Sequence, residues 1–244
     1  MRDVLSSGRN PLHKEFELTM LGNIINIVAI LAGCVAGKLF GGRLNENFRD
    51  AATKAGGLAL LVLGMQMALT GNRFILILLS VVFGSIIGEA IRIDGAMERF
   101  GNKVEEKLAA GSDGFSKAFV SSTLLFCIGP MSIMGSIAGG LRGEHSILIT
   151  KAVLDGIFAA ILTATMGIGV VGSAVTTGAY QGAIVLCARW VEQYLTEAIV
   201  TEMTATGGLL ILAIGLNMLK IREFKTANIL PALLLICLLV ALWP

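Results

Sequence analysis

The chain has 244 residues, 55% of them hydrophobic and 15% charged, with a formal net charge of +2 and a mean hydropathy of +0.81. It is too apolar for a water-soluble domain of this length, and its charge is too small and too scattered for nucleic-acid binding. A bilayer is the solvent that fits this composition. Backbone amides find no water there, so unbroken apolar runs read as helices rather than barrel strands.

Residues 1–19 mix Arg2, Asp3, Arg9, Lys14, Glu15 and Glu17 without an apolar core, so they read as a polar N-terminal tail and not as a secretory signal. Segments of spanning length follow at 21–40, 52–69 and 74–93, making residues 20–93 a first repeat with spans 1–3. Residues 94–116 place Glu98, Lys103, Glu105, Glu106 and Lys107 around Met97, Phe100, Val104 and Leu108, the pattern of a cytoplasmic amphipathic linker. Residues 117–244 form a second repeat, spans 4–8, at 119–141, 147–168, 169–190, 204–219 and 228–243. As one helix, 147–190 would measure about 65 Å against a hydrocarbon core of about 30 Å, so it folds back at Gly167, Gly169 and Gly172 as an inserted hairpin. Residues 189–203, with Trp190, Tyr194 and Leu195 beside Glu192 and Glu197, read as a second interfacial segment. The expected fold is an all-α polytopic membrane helical bundle of about eight transmembrane helices, within a range of seven to nine.

Arg and Lys orient the bundle, since basic residues near helix ends stay cytoplasmic. Lys38, Arg43, Arg49, Lys54, Arg92, Arg99, Lys103, Lys107, Lys117, Lys220, Arg222 and Lys225 fall on one side. Arg2, Arg9, Lys14, Arg73, Arg142, Lys151 and Arg189 fall on the other. The first group is inside, and eight spans put both termini outside. Within this frame Gly56-Gly57-Leu58, Leu61, Gly64 and Gln66-Met67 recur at a constant offset as Gly207-Gly208-Leu209, Leu212, Gly215 and Asn217-Met218. Gly33, Ala36, Gly37, Leu39 and Gly41 likewise match Gly135, Ala138, Gly139, Leu141 and Gly143. Span 2 thus echoes span 7 and span 1 echoes span 4, each with the opposite direction. That is an inverted-topology repeat, unless the echoes are chance matches among Gly- and Leu-rich segments.

Ionisable groups within lipid are costly and usually face a cavity or each other. Lys151 and Asp155 stand one turn apart in span 5, as a packing ion pair or as a carboxylate coupled to protons or cations. Glu202-Met203-Thr204-Ala205-Thr206-Gly207-Gly208 precedes span 7 and either caps it or lets it begin inside the bundle, where amides and oxygens can hold a ligand. Gly129-Pro130, followed by Ser132, should break or kink span 4 and free carbonyls. The candidate substrate or ion site is therefore Gly129, Pro130, Ser132, Lys151, Asp155, Glu202, Thr204, Thr206, Gly207 and Gly208. Gly33, Gly37 and Gly41, with Gly135, Gly139 and Gly143, form smooth strips for helix packing between halves or in a homodimer. Gln66 and Asn217 are candidates for interhelical hydrogen bonds.

Cys34, Cys127, Cys187 and Cys237 lie in apolar stretches without metal-ligand spacing and read as small buried hydrophobes. No nucleophile–base motif, Walker loop, zinc signature or haem spacing is present, and His13 and His145 sit in polar segments, so an enzyme is not expected.

The chain resembles a bacterial inner-membrane family filed as domain of unknown function 554 and catalogued as candidate transport proteins. Gly22-Asn23-Ile24-Ile25-Asn26, Leu125-Phe126-Cys127-Ile128-Gly129-Pro130-Met131, Lys151-Ala152-Val153-Leu154-Asp155-Gly156, Tyr180-Gln181-Gly182 and Thr201-Glu202-Met203-Thr204-Ala205-Thr206-Gly207-Gly208 carry the likeness, which runs from Leu21 to the end. The resemblance implies a bacterial inner-membrane location and brings no substrate. The expected function is a secondary-type transporter of a small polar or ionic solute, cation-coupled, with its site between inverted halves; the alternatives are a passive channel and a non-transporting scaffold or assembly protein. The expected partners are the lipid bilayer and that solute, with no nucleic acid and no cofactor beyond a bound monovalent cation.

Overall fold

The computed structural model describes residues 11–41, 46–97, 99 and 115–243. The helices are α1 (Pro11–Gly41), α2 (Glu46–Ala68), α3 (Phe74–Ile91), α4 (Phe115–Cys127), α5 (Pro130–Arg142), α6 (Ser146–Met166), α7 (Val171–Leu186), α8 (Ala188–Tyr194), α9 (Glu197–Met218) and α10 (Pro231–Leu242). Short 3-10 turns at Ile168–Val170 and Thr226–Ile229 lead into α7 and α10. No strand occurs among the described residues. The architecture is an all-α polytopic bundle.

Among the described residues six helical segments are long and apolar enough to cross a membrane: Thr19–Gly41, Glu46–Ala68, Phe74–Ile91, Ser146–Met166, Ile168–Leu186 and Glu197–Met218. The pair α4 and α5, bent by 59° at its junction, brings the count to seven when taken as one crossing. The expected eighth span corresponds to the shorter apolar segment Thr226–Leu242. Two boundaries differ from the sequence reading. Helix α1 begins at Pro11, within the expected tail, while residues 1–10 lie outside the described residues. Helix α9 begins at Glu197 instead of near residue 204, because Thr196 supplies the cap, its Oγ1 accepting from the Ile199 amide at 3.3 Å. Of the expected linker 94–116, residues 98 and 100–114 lie outside the described residues.

Helix α9 is the centre of the bundle: 72% of its most apolar stretch is buried, against 22% in each of the first three spans. Small residues let its neighbours approach, since dispersion and packing rather than hydrophobicity hold helices together in lipid. A Cβ built on Gly64 would lie 2.8 Å from the Gly208 carbonyl oxygen, and one on Gly208 would lie 2.6 Å from the Gly64 carbonyl oxygen. Gly57 and Gly215 meet in the same way, at 3.3 Å and 3.0 Å. Helices α2 and α9 are therefore antiparallel along this seam. Gly84 against Ala232 and Gly88 against Asn228 set α3 antiparallel to α10.

The Gly33, Gly37 and Gly41 strip packs on Gly156, Ala160 and Ala164 of α6, so α1 and α6 run in parallel. Gly135 packs on Leu148 and Gly139 beside His145, whereas Gly143, at φ +67°, closes α5 as its C-cap. Lys117–Glu223 at 3.2 Å and Lys225–Glu89 at 2.7 Å cluster at one end of the bundle. At the opposite end the Arg73 guanidinium donates to the Trp243 carbonyl.

Candidate functional site

The break in span 4 follows from two residues. Gly129 adopts φ +145°, a conformation that strains any side-chain-bearing residue, and Pro130 has no amide to continue the helix, so it starts α5 at its first position. A broken helix in lipid leaves backbone groups needing partners. Ser132 meets this need twice: its Oγ donates to the freed Phe126 carbonyl at 3.2 Å, and its amide to the Gly129 carbonyl at 3.2 Å.

From Ser132 a chain of polar side chains crosses the bundle. Gln181 Nε2 of α7 donates to Ser132 Oγ at 2.9 Å, and Gln181 Oε1 accepts from Asn26 Nδ2 of α1 at 3.1 Å. Asn26 Nδ2 also donates to Asp155 Oδ2 of α6 at 3.0 Å, and the same oxygen takes the Lys151 ammonium. The Lys151 and Asp155 side chains are only 7% and 8% exposed. Four helices thus contribute to one continuous layer, α1, α5, α6 and α7. Its formal charges cancel within a single i, i+4 pair, while Asn26 links the pair to the helix break. One turn along α1, Asn23 Nδ2 donates to the Gly178 carbonyl at 3.0 Å.

Glu202 stands elsewhere. It is 2% exposed, and its Oε1 accepts from the amides of Asn72 and Arg73, at 2.9 Å and 3.2 Å, where α3 begins. A carboxylate on a helix N-terminus satisfies orphan amides and complements the dipole. Glu202 Oε2 has no hydrogen-bond partner among the described residues. Thr204 and Thr206 donate back along their own helix, to Val200 O at 2.6 Å and Glu202 O at 2.9 Å.

The sequence-selected residues therefore fall into two groups. Ser132, Lys151 and Asp155 share the layer beside Gly129 and Pro130. Glu202, Thr204 and Thr206 belong to α9, with no hydrogen bond or ion pair to that layer among the described residues. Gly207 comes to the break, where its built Cβ would overlap Ile128, and Gly208 belongs to the α2–α9 seam. Gln66 is exposed, and Asn217 exchanges hydrogen bonds with the Phe224 backbone, at 2.9 Å and 2.7 Å. Cys34 is buried, Cys127 and Cys237 are half-buried, and Cys187 is exposed at the α7–α8 junction.

Sequence reasoning missed Asn26 and Gln181 as parts of the layer. Asn23 and Asn26, three residues apart in an otherwise apolar span, carried a usable signal, because uncompensated amides inside lipid are costly. Among the described residues no three His, Cys, Asp or Glu side chains group as metal ligands.

The match to the family described as "Protein of unknown function (DUF554)" covers residues 21–241. An "Uncharacterized membrane protein YdfK" of Bacillus subtilis is 34% identical over 220 residues, spanning 88% of this chain and 93% of the relative. An "Uncharacterized protein YqgA" of Escherichia coli is 31% identical over 229 residues, spanning 92% and 97%. No solved structure gives a significant match. The chain belongs to the DUF554 family and is a membrane protein.

Proposed function

We propose that this member of the DUF554 family is a secondary-type transporter of the bacterial inner membrane that couples a small solute to a cation gradient. The carrying observation is the Lys151–Asp155 pair, buried within a span and wired through Asn26 and Gln181 to a helix break. A purely structural pair at this depth gains little over apolar packing, because desolvation offsets most of the Coulombic attraction. A working pair has a use for that cost. If Asp155 takes a proton or a cation, Lys151 loses its anion and Asn26 its acceptor. The layer then has a second arrangement that reaches the break, and a ligand that favours one arrangement shifts the population.

The inverted repeat belongs to the same reading. Gly57 and Gly64 are the repeat mates of Gly208 and Gly215, and Gly57 meets Gly215 while Gly64 meets Gly208. Reciprocal contacts of this kind are those of a two-fold interface, and antiparallel partners set its axis in the membrane plane. Rocking about such an axis would alternate access to the layer. The chemistry is binding and movement, with no catalysed reaction.

The test is uptake into proteoliposomes, screened over small solutes under imposed proton and Na⁺ gradients. The reading expects solute accumulation that collapses with the gradient and no steady conductance. Steady conductance would mean a channel, and the absence of any solute-dependent flux would favour a scaffold.

A further inference from the structure

Beside the break lies a half-open cavity of about 240 Å³ whose walls include no residue of the charged layer. Thr123, Cys127 and Ile128 of the α4 side, Tyr180 of α7, Met203 of α9 and Leu233 of α10 are among its walls, and no charged side chain lines it. We infer that this cavity is a binding site for a small, uncharged, largely apolar molecule carrying one polar group, such as a substituted single ring.

Volume and chemistry both point there. An apolar cavity of about 150 Å³ holds benzene, so this one has room for a ring with a substituent. A charged ligand would have to leave water for walls that offer it no counter-ion, a cost that hydrophobic contact does not recover. Polar atoms make up very little of the wall, so a ligand has room for at most one polar group. Thr123 pairs with Thr176 at 3.0 Å and Cys127 with Thr177 at 3.7 Å, so both are engaged by α7. Tyr180 lines the cavity, and no hydrogen bond of its hydroxyl to another described residue is found. A half-buried phenol ordinarily finds a partner, and a ligand hydroxyl or carbonyl supplies one. The cavity also touches the moving parts of the proposed transporter. Ile128 precedes Gly129, and Gly207 of α9 abuts Ile128. Occupancy therefore bears on the helix break without contacting Lys151 or Asp155. The inference goes beyond the transport reading, and because it is tested by binding instead of flux, either can fail alone.

Radiolabelled benzyl alcohol is the probe, measured by scintillation proximity on the full chain in lipid nanodiscs, with empty nanodiscs as the partition control. Saturable binding is expected, displaced by unlabelled benzyl alcohol but not by benzoate, the charged molecule of similar size. Filling the cavity by Met203→Trp should abolish it, and Val120→Phe, on another wall, should do the same if the first variant does not fold. Tyr180→Phe should weaken binding by about three- to ten-fold, the loss of one hydrogen bond. Methylthiolation of Cys127 should slow when the probe is bound. Signal equal to empty nanodiscs, or binding unchanged in the folded cavity-filled variants, would overturn the inference.

Discussion

Two carboxylates are buried among the described residues of this membrane protein, and they are satisfied by different means. Asp155 is held by side chains, an ammonium and an amide that can both move. Glu202 is held by backbone, the two amides at the start of α3. A carboxylate fixed to backbone ties helices together, since α9 and the α2–α3 turn cannot part without stripping its hydrogen bonds. One fixed to side chains can exchange its partners while the backbone stays in place. The contrast separates a tie from a proposed switch, and variants of each should respond accordingly.

The largest effect is expected from Lys151→Met, which strands the Asp155 charge on a side chain too short to reach water. The loss should be about 3–5 kcal/mol, read as a large fall in the melting temperature of the purified protein. The double change Lys151→Met with Asp155→Leu should recover most of it. Asp155→Asn should cost less than Lys151→Met, because the amide oxygen still accepts and the lysine stem can carry its ammonium toward the polar face. Equal losses for these two single changes would contradict the assigned asymmetry.

Glu202→Ala leaves two helix-start amides unpaired and should cost about 2–3 kcal/mol. Glu202→Gln keeps one oxygen for them, so it should cost only about 1 kcal/mol. A Gln variant as damaged as the Ala variant would show that the negative charge, and not the acceptor, does the tying. Asn26→Ala should cost about 1–2 kcal/mol by removing the link between Asp155 and Gln181. Lys225→Ala is the smallest. Its partner Glu89 and Lys225 itself are 60% and 61% exposed, so the change should leave the melting temperature almost unmoved.

Local chemistry made much of this legible from sequence. A proline after a glycine breaks a helix wherever it falls, and the i, i+4 spacing of Lys151 and Asp155 leaves their side chains little choice but to meet. The spans were equally readable, because hydropathy reports the solvent. What escaped depends on tertiary placement. Thr204 and Thr206 looked like caps at a span entry, but Thr196 caps α9 and a helical threonine can bond back to its own carbonyls. Glu202 looked like a companion to Asp155, and only the α2–α3 turn, 129 residues away in sequence, reveals its partner. Asn26 needed both α6 and α7 in place before its amide had a meaning. The Gly33–Gly41 strip was legible as a packing surface, whereas its partner, α6, was not.

The most direct test compares gradient-driven uptake by the parent, Asp155→Asn and Glu202→Gln proteins in proteoliposomes, using a solute identified by the screen. The charge-neutral Lys151→Gln/Asp155→Asn protein covers the case in which Asp155→Asn is poorly folded. Loss of gradient dependence on changing Asp155, with gradient-driven uptake retained in Glu202→Gln, is the predicted result. Uptake that still follows the gradient in folded proteins lacking the Asp155 carboxylate would contradict the account.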